Sequence, residues 1–437
     1  MTVWTNWDGK QRCAPSHYER PGSEEELCEL VAKHAAAGRA IRAVGAGHSF
    51  TDIACTDGVM IDLSILRRPL SLDEETGRAR VSAGIRLHDL AKELDAHGRA
   101  LENLGDIDTQ ALGGALATGT HGTGVRFGNL SSRVTGGRMV TAKGDVVELA
   151  ADPDCDVLRA ARVSLGALGI LSEVELKTTP AFRLHKVATV LPLHDVLLSL
   201  EEQIIVNDHV ELYALPWSKN ALIMTSRRTD EPARPVSAVS AVKRWFTDEL
   251  VYNQALGLFQ RVGRRFPSLI PAIGRLTGAV ASGFERLDES WRVFASSRKV
   301  RFTEMEYALP RSTIREVIER TLALIEHRNL QVNFPIEVRF TAPDDALLST
   351  AYERDTAYIA VHQFAGMEYE SYFRAVEAIA SEHGGRPHWG KRHYLQAEQL
   401  RPRYPAWDRF AAVRNRFDPR GSFTNPYIAR TLGPALP

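Results

Sequence analysis

The sequence has few cysteines, no excess charge and no long apolar run, and each absence excludes a class of protein. Its 4 cysteines are scattered through 437 residues without a Cys-x-x-Cys pair, which argues against a disulfide framework or a metal site. Lysine and arginine total 54, as do aspartate and glutamate, so charge predicts no nucleic-acid partner. No apolar run reaches the ~20 residues of a membrane span, and no secretory signal is visible. We therefore expect a globular, cytoplasmic protein.

The length allows two or three domains, and the patterning changes near residue 180. Residues 1–180 mix helical and strand patterns, with a capping box at Ser23 and Glu26 before an apolar helical stripe. Residues 181–406 predict a sheet covered by helices, and residues 407–437 are too short to fold alone. The pattern predicts an α+β fold of two domains with a C-terminal segment that packs back on them.

The most informative segment is a tight glycine turn that ends in a histidine. Gly45 and Gly47 flank one small residue, so the backbone can turn sharply and expose N–H groups to an anion. His48 follows directly and would be held against whatever the turn binds. A structural or surface histidine is the alternative interpretation.

Two further segments rich in small residues lie in the same predicted domain. Residues 112–124 combine glycines with hydroxyl side chains, which allows close backbone approach to a bulky ligand and offers donors to phosphate. Residues 164–170 have a similar composition. The fingerprints of nicotinamide Rossmann domains and P-loop triphosphatases are absent from these segments. The three segments together predict one large ligand with a diphosphate, whereas each alone could be a glycine-rich turn in a crowded core.

In this order and spacing, the three segments resemble the FAD domain of the vanillyl-alcohol-oxidase-type flavoproteins. The similarity is specific to the aldonolactone and alditol oxidoreductases, the sugar-1,4-lactone oxidase group, and strongest toward bacterial gulonolactone dehydrogenases. Residues 335–339 and 386–391 resemble the Glu-x-Arg strand and the His-Trp-x-Lys loop of the same group, and residues 423–425 resemble its C-terminal ending. The resemblance covers essentially the whole chain.

The resemblance implies an FAD-binding domain in residues 1–180, a substrate-binding (cap) domain in residues 181–406, and a C-terminal segment, 407–437, that packs on the flavin site. It also implies that FAD is bound covalently through His48. The residues implied to contact FAD are Val44, Gly45, Ala46, Gly47, His48, Ser49, Gly105, Gly113, Gly114, Thr118, Gly119, Thr120, His121, Gly124, Gly169, Ile170 and Asn425.

Four residues of the second half form the implied catalytic set. Glu337 and Arg339 are two apart on a predicted strand, so both face one side, and a charged pair aimed inward is costly unless it has a function. By resemblance, Arg339 and Lys391 would stabilise the charge that develops on the flavin, and Glu337 would accept hydrogen bonds from substrate hydroxyls. His362 aligns with a pocket histidine that could accept the hydroxyl proton. The alternatives are a surface salt bridge, a solvated loop lysine and a structural histidine.

Gly105 and Asp106 set expectations about the electron acceptor and the substrate. In relatives, alanine at the position of Gly105 hinders dioxygen, so glycine predicts oxidase competence. Alditol oxidases carry serine at the position of Asp106, which puts an open-chain polyol in doubt. We expect Asp106 to bind substrate together with Glu337, Arg339 and Lys391.

The predicted function is oxidation of a sugar-derived alcohol by hydride transfer to FAD, with L-gulono-1,4-lactone as the expected substrate and oxygen or cytochrome c as the acceptor. An alditol or related polyol oxidase is the alternative enzyme. A flavin-binding protein without turnover is the alternative of a different class, and it would not need Glu337, Arg339 and Lys391 together.

Overall fold

The computed structural model describes residues 3–150, 156–232, 256–280, 282–295 and 300–434. The predicted cap domain therefore includes stretches that lie outside the described residues. The strands are β1 (Trp4–Thr5), β2 (Arg12–Cys13), β3 (His17–Glu19), β4 (Ile41–Val44), β5 (Val59–Asp62), β6 (Ser71–Asp73), β7 (Arg78–Ser82), β8 (Arg99–Ala100), β9 (Val134–Val140), β10 (Val146–Ala150), β11 (Ile170–Lys177), β12 (Thr179–Pro180), β13 (Arg183–Pro192), β14 (His209–Ala214), β15 (Asn220–Thr229), β16 (Phe284–Glu289), β17 (Phe302–Pro310), β18 (Ile336–Thr341), β19 (Thr356–Phe364) and β20 (Arg386–Pro387). The helices are α1 (Glu24–Ala36), α2 (Leu87–Ala96), α3 (Leu112–Ala117), α4 (Val157–Arg162), α5 (Leu193–Val206), α6 (Leu256–Arg265), α7 (Ile270–Val280), α8 (Ser290–Phe294), α9 (Ile314–His327), α10 (Glu370–Glu382), α11 (Ala397–Leu400), α12 (Trp407–Phe417) and α13 (Pro426–Leu432).

The first half of the chain contains a three-stranded parallel sheet, β3-β5-β4, and a five-stranded antiparallel sheet, β10-β9-β11-β7-β6. Helix α1 begins at Ser23, whose hydroxyl accepts a hydrogen bond from the Glu26 amide as the sequence predicts. The Glu26 carboxylate accepts from the amide of Gly22 rather than from that of Ser23. Leu27 and Val31 of α1 pack into a small core beside both sheets.

The second half is built on one eight-stranded sheet of order β16-β13-β15-β14-β18-β19-β17-β20, antiparallel throughout. Helices α5, α9 and α10 pack against it. The side that carries Glu337 and Arg339 lies against residues 103–127 of the first half, where the Gly124 amide donates to the Phe340 carbonyl. The predicted α+β class is confirmed. In the described part of the chain, no helix has the length and apolar character to cross a bilayer.

The C-terminal segment returns to the glycine turn of the first half. The Ile41 amide donates to the Ser422 carbonyl over 2.8 Å, and Nη1 of the buried Arg42 donates to the Phe423 carbonyl over 2.7 Å. Arg42 also donates to the carbonyls of Leu165 and Gly166. One buried guanidinium thus ties the turn, the third small-residue segment and the C-terminal segment together.

Candidate active site

A cleft with about 1000 Å³ of space, part of it open to solvent, runs along the three glycine-rich segments. Gly45 is required here because a Cβ atom would lie 2.7 Å from the Cβ of Ala111. Gly47 has a φ of +69°, which glycine adopts without strain. A Cβ at Gly114 would meet no protein atom within 4 Å, so this lining residue faces open space. The cleft therefore fits a large ligand that the backbone approaches closely.

Most residues expected to contact FAD line this cleft. They are Val44, Gly45, Ala46, Gly47, His48, Ser49, Gly113, Gly114, Thr118, Gly169 and Ile170.

Several other residues expected to contact FAD lie beside the second half rather than in this lining. His121 Nε2 is 3.1 Å from Oε1 of Glu306 on β17, and the His121 ring stacks on Tyr358 with 3.5 Å between centroids. Gly124 pairs with β18, and Gly119 and Thr120 belong to the segment that leads there. Gly105 is packed against this segment, since a Cβ on it would lie 3.1 Å from the His121 carbonyl oxygen.

Asn425 holds the C-terminal segment to the end of the glycine turn. Its Oδ1 accepts from the Ile428 amide and caps α13, while its Nδ2 donates to the carbonyls of Asp52, Ile53 and Cys55. All of these partners are protein atoms, so the side-chain amide of Asn425 supports the cleft-lining segment from outside the cleft. Its predicted contact with FAD stays a prediction.

His48 lies in the cleft wall, with Nε2 2.9 Å from the Thr109 hydroxyl. Its ring stacks on Trp7 with 5.7 Å between centroids. Burial, together with the positive charges of Lys391 and Arg86, lowers the pKa of His48 to about 4. The imidazole is therefore neutral near pH 7 and keeps a nitrogen lone pair.

The loop that carries Lys391 is docked directly on the turn that carries His48. The Phe50 amide donates to the Gly390 carbonyl over 2.7 Å, and Nζ of Lys391 lies over the Phe50 ring. Trp389 is fully buried and anchors the loop through its indole N–H, which donates to the Leu348 carbonyl. Residues far apart in the sequence are thus packed against each other next to His48.

The Lys391 ammonium pairs with Glu304 of β17. Burial lowers the pKa of Lys391, but Glu304 and Glu306 outweigh it and raise that pKa above its usual value. Burial raises the pKa of Glu304, while Lys391 and His362 lower it to about 2. Both partners therefore stay charged over the ordinary pH range.

Arg339 and Glu337 face the same side of β18 and are buried, so the surface salt-bridge alternative is wrong. Nη2 of Arg339 pairs with Glu337, lies 2.6 Å from Oδ1 of Asp106 and lies 3.9 Å from Oε2 of Glu211. Burial lowers the pKa of Arg339, but these three carboxylates raise it well above its usual value. Asp106 comes from the first half of the chain, so this cluster joins the two halves.

Two buried nitrogens beside these charges have no protein partner within the described ranges: Nε of Arg339 and Nδ1 of His362. The other nitrogen of His362, Nε2, lies 3.5 Å from Oε1 of Glu304 and 3.9 Å from Oε2 of Glu337. Buried polar atoms in proteins are nearly always hydrogen-bonded. The unpaired nitrogens therefore mark where a polar ligand would complete the site.

Sequence reasoning missed several charged residues of this face. Glu304 and Glu306 alternate with apolar residues in β17, and that period-2 pattern, already used for Glu337 and Arg339, could have identified them. The remaining missed residues are Lys186 and Glu211. Lys186 and Glu211 carry no such local signal, because each is a single charge in its strand face.

The chain matches the D-arabinono-1,4-lactone oxidase family over residues 174–431 and the FAD binding domain family over residues 15–150. It is 52% identical to L-gulono-1,4-lactone dehydrogenase of Mycobacterium tuberculosis, an alignment that covers 99% of each chain. It is 32% identical to L-gulonolactone oxidase of Bos taurus, with 98% of this chain and 97% of the relative covered. Among solved structures, cholesterol oxidase from Brevibacterium sterolicum superposes with a TM-score of 0.80 at 18% identity over 98% of this chain and 96% of the other, a likeness of fold alone.

Proposed function

The chain belongs to the D-arabinono-1,4-lactone oxidase family of FAD-dependent oxidoreductases that act on CH–OH donors, and we propose that it oxidises L-gulono-1,4-lactone to the 2-keto lactone. The observation that carries the choice of a polyhydroxylated substrate is the set of buried carboxylates around Arg339, together with the unpaired nitrogens of Arg339 and His362. Carboxylates accept hydrogen bonds only, which suits the hydroxyl donors of a sugar lactone. Residues 1–180 would hold FAD, and residues 181–406 would bind the substrate.

In this reaction, FAD supplies the hydride acceptor when it is bound. In our proposal, the fixed positive charges of Lys391 and Arg339 stabilise the charge that develops in the transition state without reorganisation. Glu337 and Asp106 accept hydrogen bonds from substrate hydroxyls.

His362 accepts the hydroxyl proton in our proposal. Glu304, 3.5 Å from Nε2, favours the tautomer that carries its proton on Nε2 and leaves the lone pair on the unpaired Nδ1. The same carboxylate would then stabilise the imidazolium that forms after proton transfer.

We further propose that His48 is the covalent tether of FAD. A neutral imidazole is the form that can form this bond, and its lowered pKa supports that role. The contact with Trp7 and the hydrogen bond to Thr109 would keep the ring oriented.

An anaerobic substrate screen tests the function as a whole. We expect L-gulono-1,4-lactone to bleach the flavin absorbance, with open-chain alditols reducing it more slowly. Aerobic turnover with oxygen or with cytochrome c then identifies the acceptor, which we expect to include oxygen because residue 105 is glycine. If no lactone and no polyol bleaches the flavin, the chain is a flavin-binding protein and the proposed function is wrong.

A further inference from the structure

A further buried ion pair adjoins the Arg339 cluster, on strands that take no direct part in the proposed chemistry. Lys186 on β13 and Glu211 on β14 are both buried, and Nζ of Lys186 lies 3.1 Å from Oε1 of Glu211. Burying two charges costs free energy that their mutual attraction often fails to recover. We therefore expect this ion pair to have a role other than holding strands together.

The strand register aims Glu211 at Arg339. In the β14–β18 ladder, Tyr213 lies opposite Glu337, so the same register continues with Glu211 opposite Arg339. Oε2 of Glu211 accepts from the Tyr213 hydroxyl over 3.2 Å and lies 3.9 Å from Nη2 of Arg339. One carboxylate therefore connects the lysine of β13 to the arginine of β18.

The three carboxylates around Arg339 all act on one end of its guanidinium. The closest contacts of Asp106, Glu337 and Glu211 are with Nη2, whereas Nε, on the same edge of the planar group, has no protein partner among the described residues. A planar guanidinium held at Nη2 has a fixed orientation, so its unpaired Nε–H points in a defined direction. Lys186 compensates the charge of Glu211. Without Lys186, Arg339 would have to compensate three carboxylates.

We propose that Glu211 is a positioning residue: it fixes the Nη2 end of Arg339 so that Nε meets the substrate, and Lys186 balances its charge. This leaves Asp106 and Glu337 able to accept from substrate hydroxyls. The inference rests on the proposed function, because it requires Arg339 to contact the substrate.

The test combines Glu211→Gln with Arg339→Lys in a double-mutant cycle, measured as the rate of anaerobic flavin reduction by L-gulono-1,4-lactone. Glutamine keeps the size and the hydrogen bond from Tyr213 and removes the charge. We expect Glu211→Gln to lower kcat/KM on the order of 10-fold in the wild-type background and less than about twofold in the Arg339→Lys background. Equal losses in both backgrounds would show that Glu211 does not act through Arg339.

A second comparison separates positioning from stability. Lys186→Met alone leaves Glu211 buried without its cation and should lower the melting temperature, whereas Lys186→Met combined with Glu211→Gln should recover it. Activity should stay low in the double variant, and wild-type kcat/KM there would overturn the proposal. Glu175→Gln, which removes a buried carboxylate of β11 from its ion pairs with Arg78 and Arg80, is the matched control and should keep kcat/KM. If the wild-type protein itself does not oxidise the lactone, the proposed function is wrong. If the wild-type protein is active and Glu211→Gln loses the same activity in both backgrounds, only the positioning role is wrong.

Discussion

The glycine-rich cleft of the first half and the charged face of the eight-stranded sheet are built by opposite means. The cleft is lined by backbone and small side chains from contiguous segments, such as residues 42–49. The charged face is built from long side chains that several strands and loops contribute, and these side chains pair with residues of opposite charge. In the proposed function, chain geometry would recognise the large ligand, and charge would recognise the reacting end of the substrate.

The largest expected effect tests the role of His48 in the cleft. We expect His48→Ala to abolish covalent flavin attachment, because alanine has no nitrogen that could form the bond. Acid-precipitated wild-type protein should give a yellow, fluorescent pellet, and the variant should give a colourless one. Exposed His194, on α5, provides the matched control as His194→Ala. A colourless pellet from wild-type holoprotein would contradict covalent attachment.

The second effect concerns the charged face. Arg339→Ala and Glu337→Gln should each lose on the order of 10²-fold in kcat/KM, since each removes a preorganised charge contact. Flavin content should not change, because neither residue lines the cleft. Arg374→Ala removes an exposed arginine from an ion pair with Glu370 on α10 and should keep full activity. Losses below about tenfold in the two site variants would indicate a structural ion pair.

Acid should destabilise the protein through two buried histidines, His388 and His393, in the loop that carries Lys391. Burial, the largest cause in each case, lowers the pKa of His388 to about 4 and of His393 to about 3, so these groups are neutral in the folded protein. As pH falls below about 6.5, the unfolded chain binds protons that the native state does not, and each such histidine costs roughly 1.4 kcal/mol of stability per pH unit until its native pKa is reached. Melting temperatures between pH 7 and 4 measure this slope.

His393→Asn should make that slope shallower, whereas the exposed His194→Asn should not change it. An unchanged slope in His393→Asn would show that His393 does not contribute to the acid lability.

The smallest expected effect tests Gly105, which lies where the two regions meet. Gly105→Ala should lower the rate with oxygen about threefold or more while sparing a dye acceptor, if the added methyl group narrows the oxygen path. The same methyl group would lie 3.1 Å from the His121 carbonyl oxygen, so the neighbouring segment must also shift slightly. Equal losses with both acceptors would assign the effect to this shift and remove the argument for an oxygen path.

The two regions also differ in how far the sequence predicted them. The turn at residues 45–49 and the Glu-x-Arg strand were predictable because tight turns and strand faces follow local spacing, and the structure brings Glu337 and Arg339 to one buried face as expected. The pairing of His121 with Glu306 was not predictable, since the two residues come from different halves of the chain. The resemblance implied that His121 contacts FAD, which stays a prediction, and the structure shows His121 beside β17.

The sequence alone determined the α+β class and the glycine-lined character of the first half, because these follow from local composition and periodicity. It identified only some of the charged residues near the site. Only the tertiary structure decided which charges meet. Asp106, Glu211 and Glu337 converge on one guanidinium because long-range strand order and a loop from the other half bring them together. Strand order depends on contacts across hundreds of residues, and no local pattern in β13 or β14 records it.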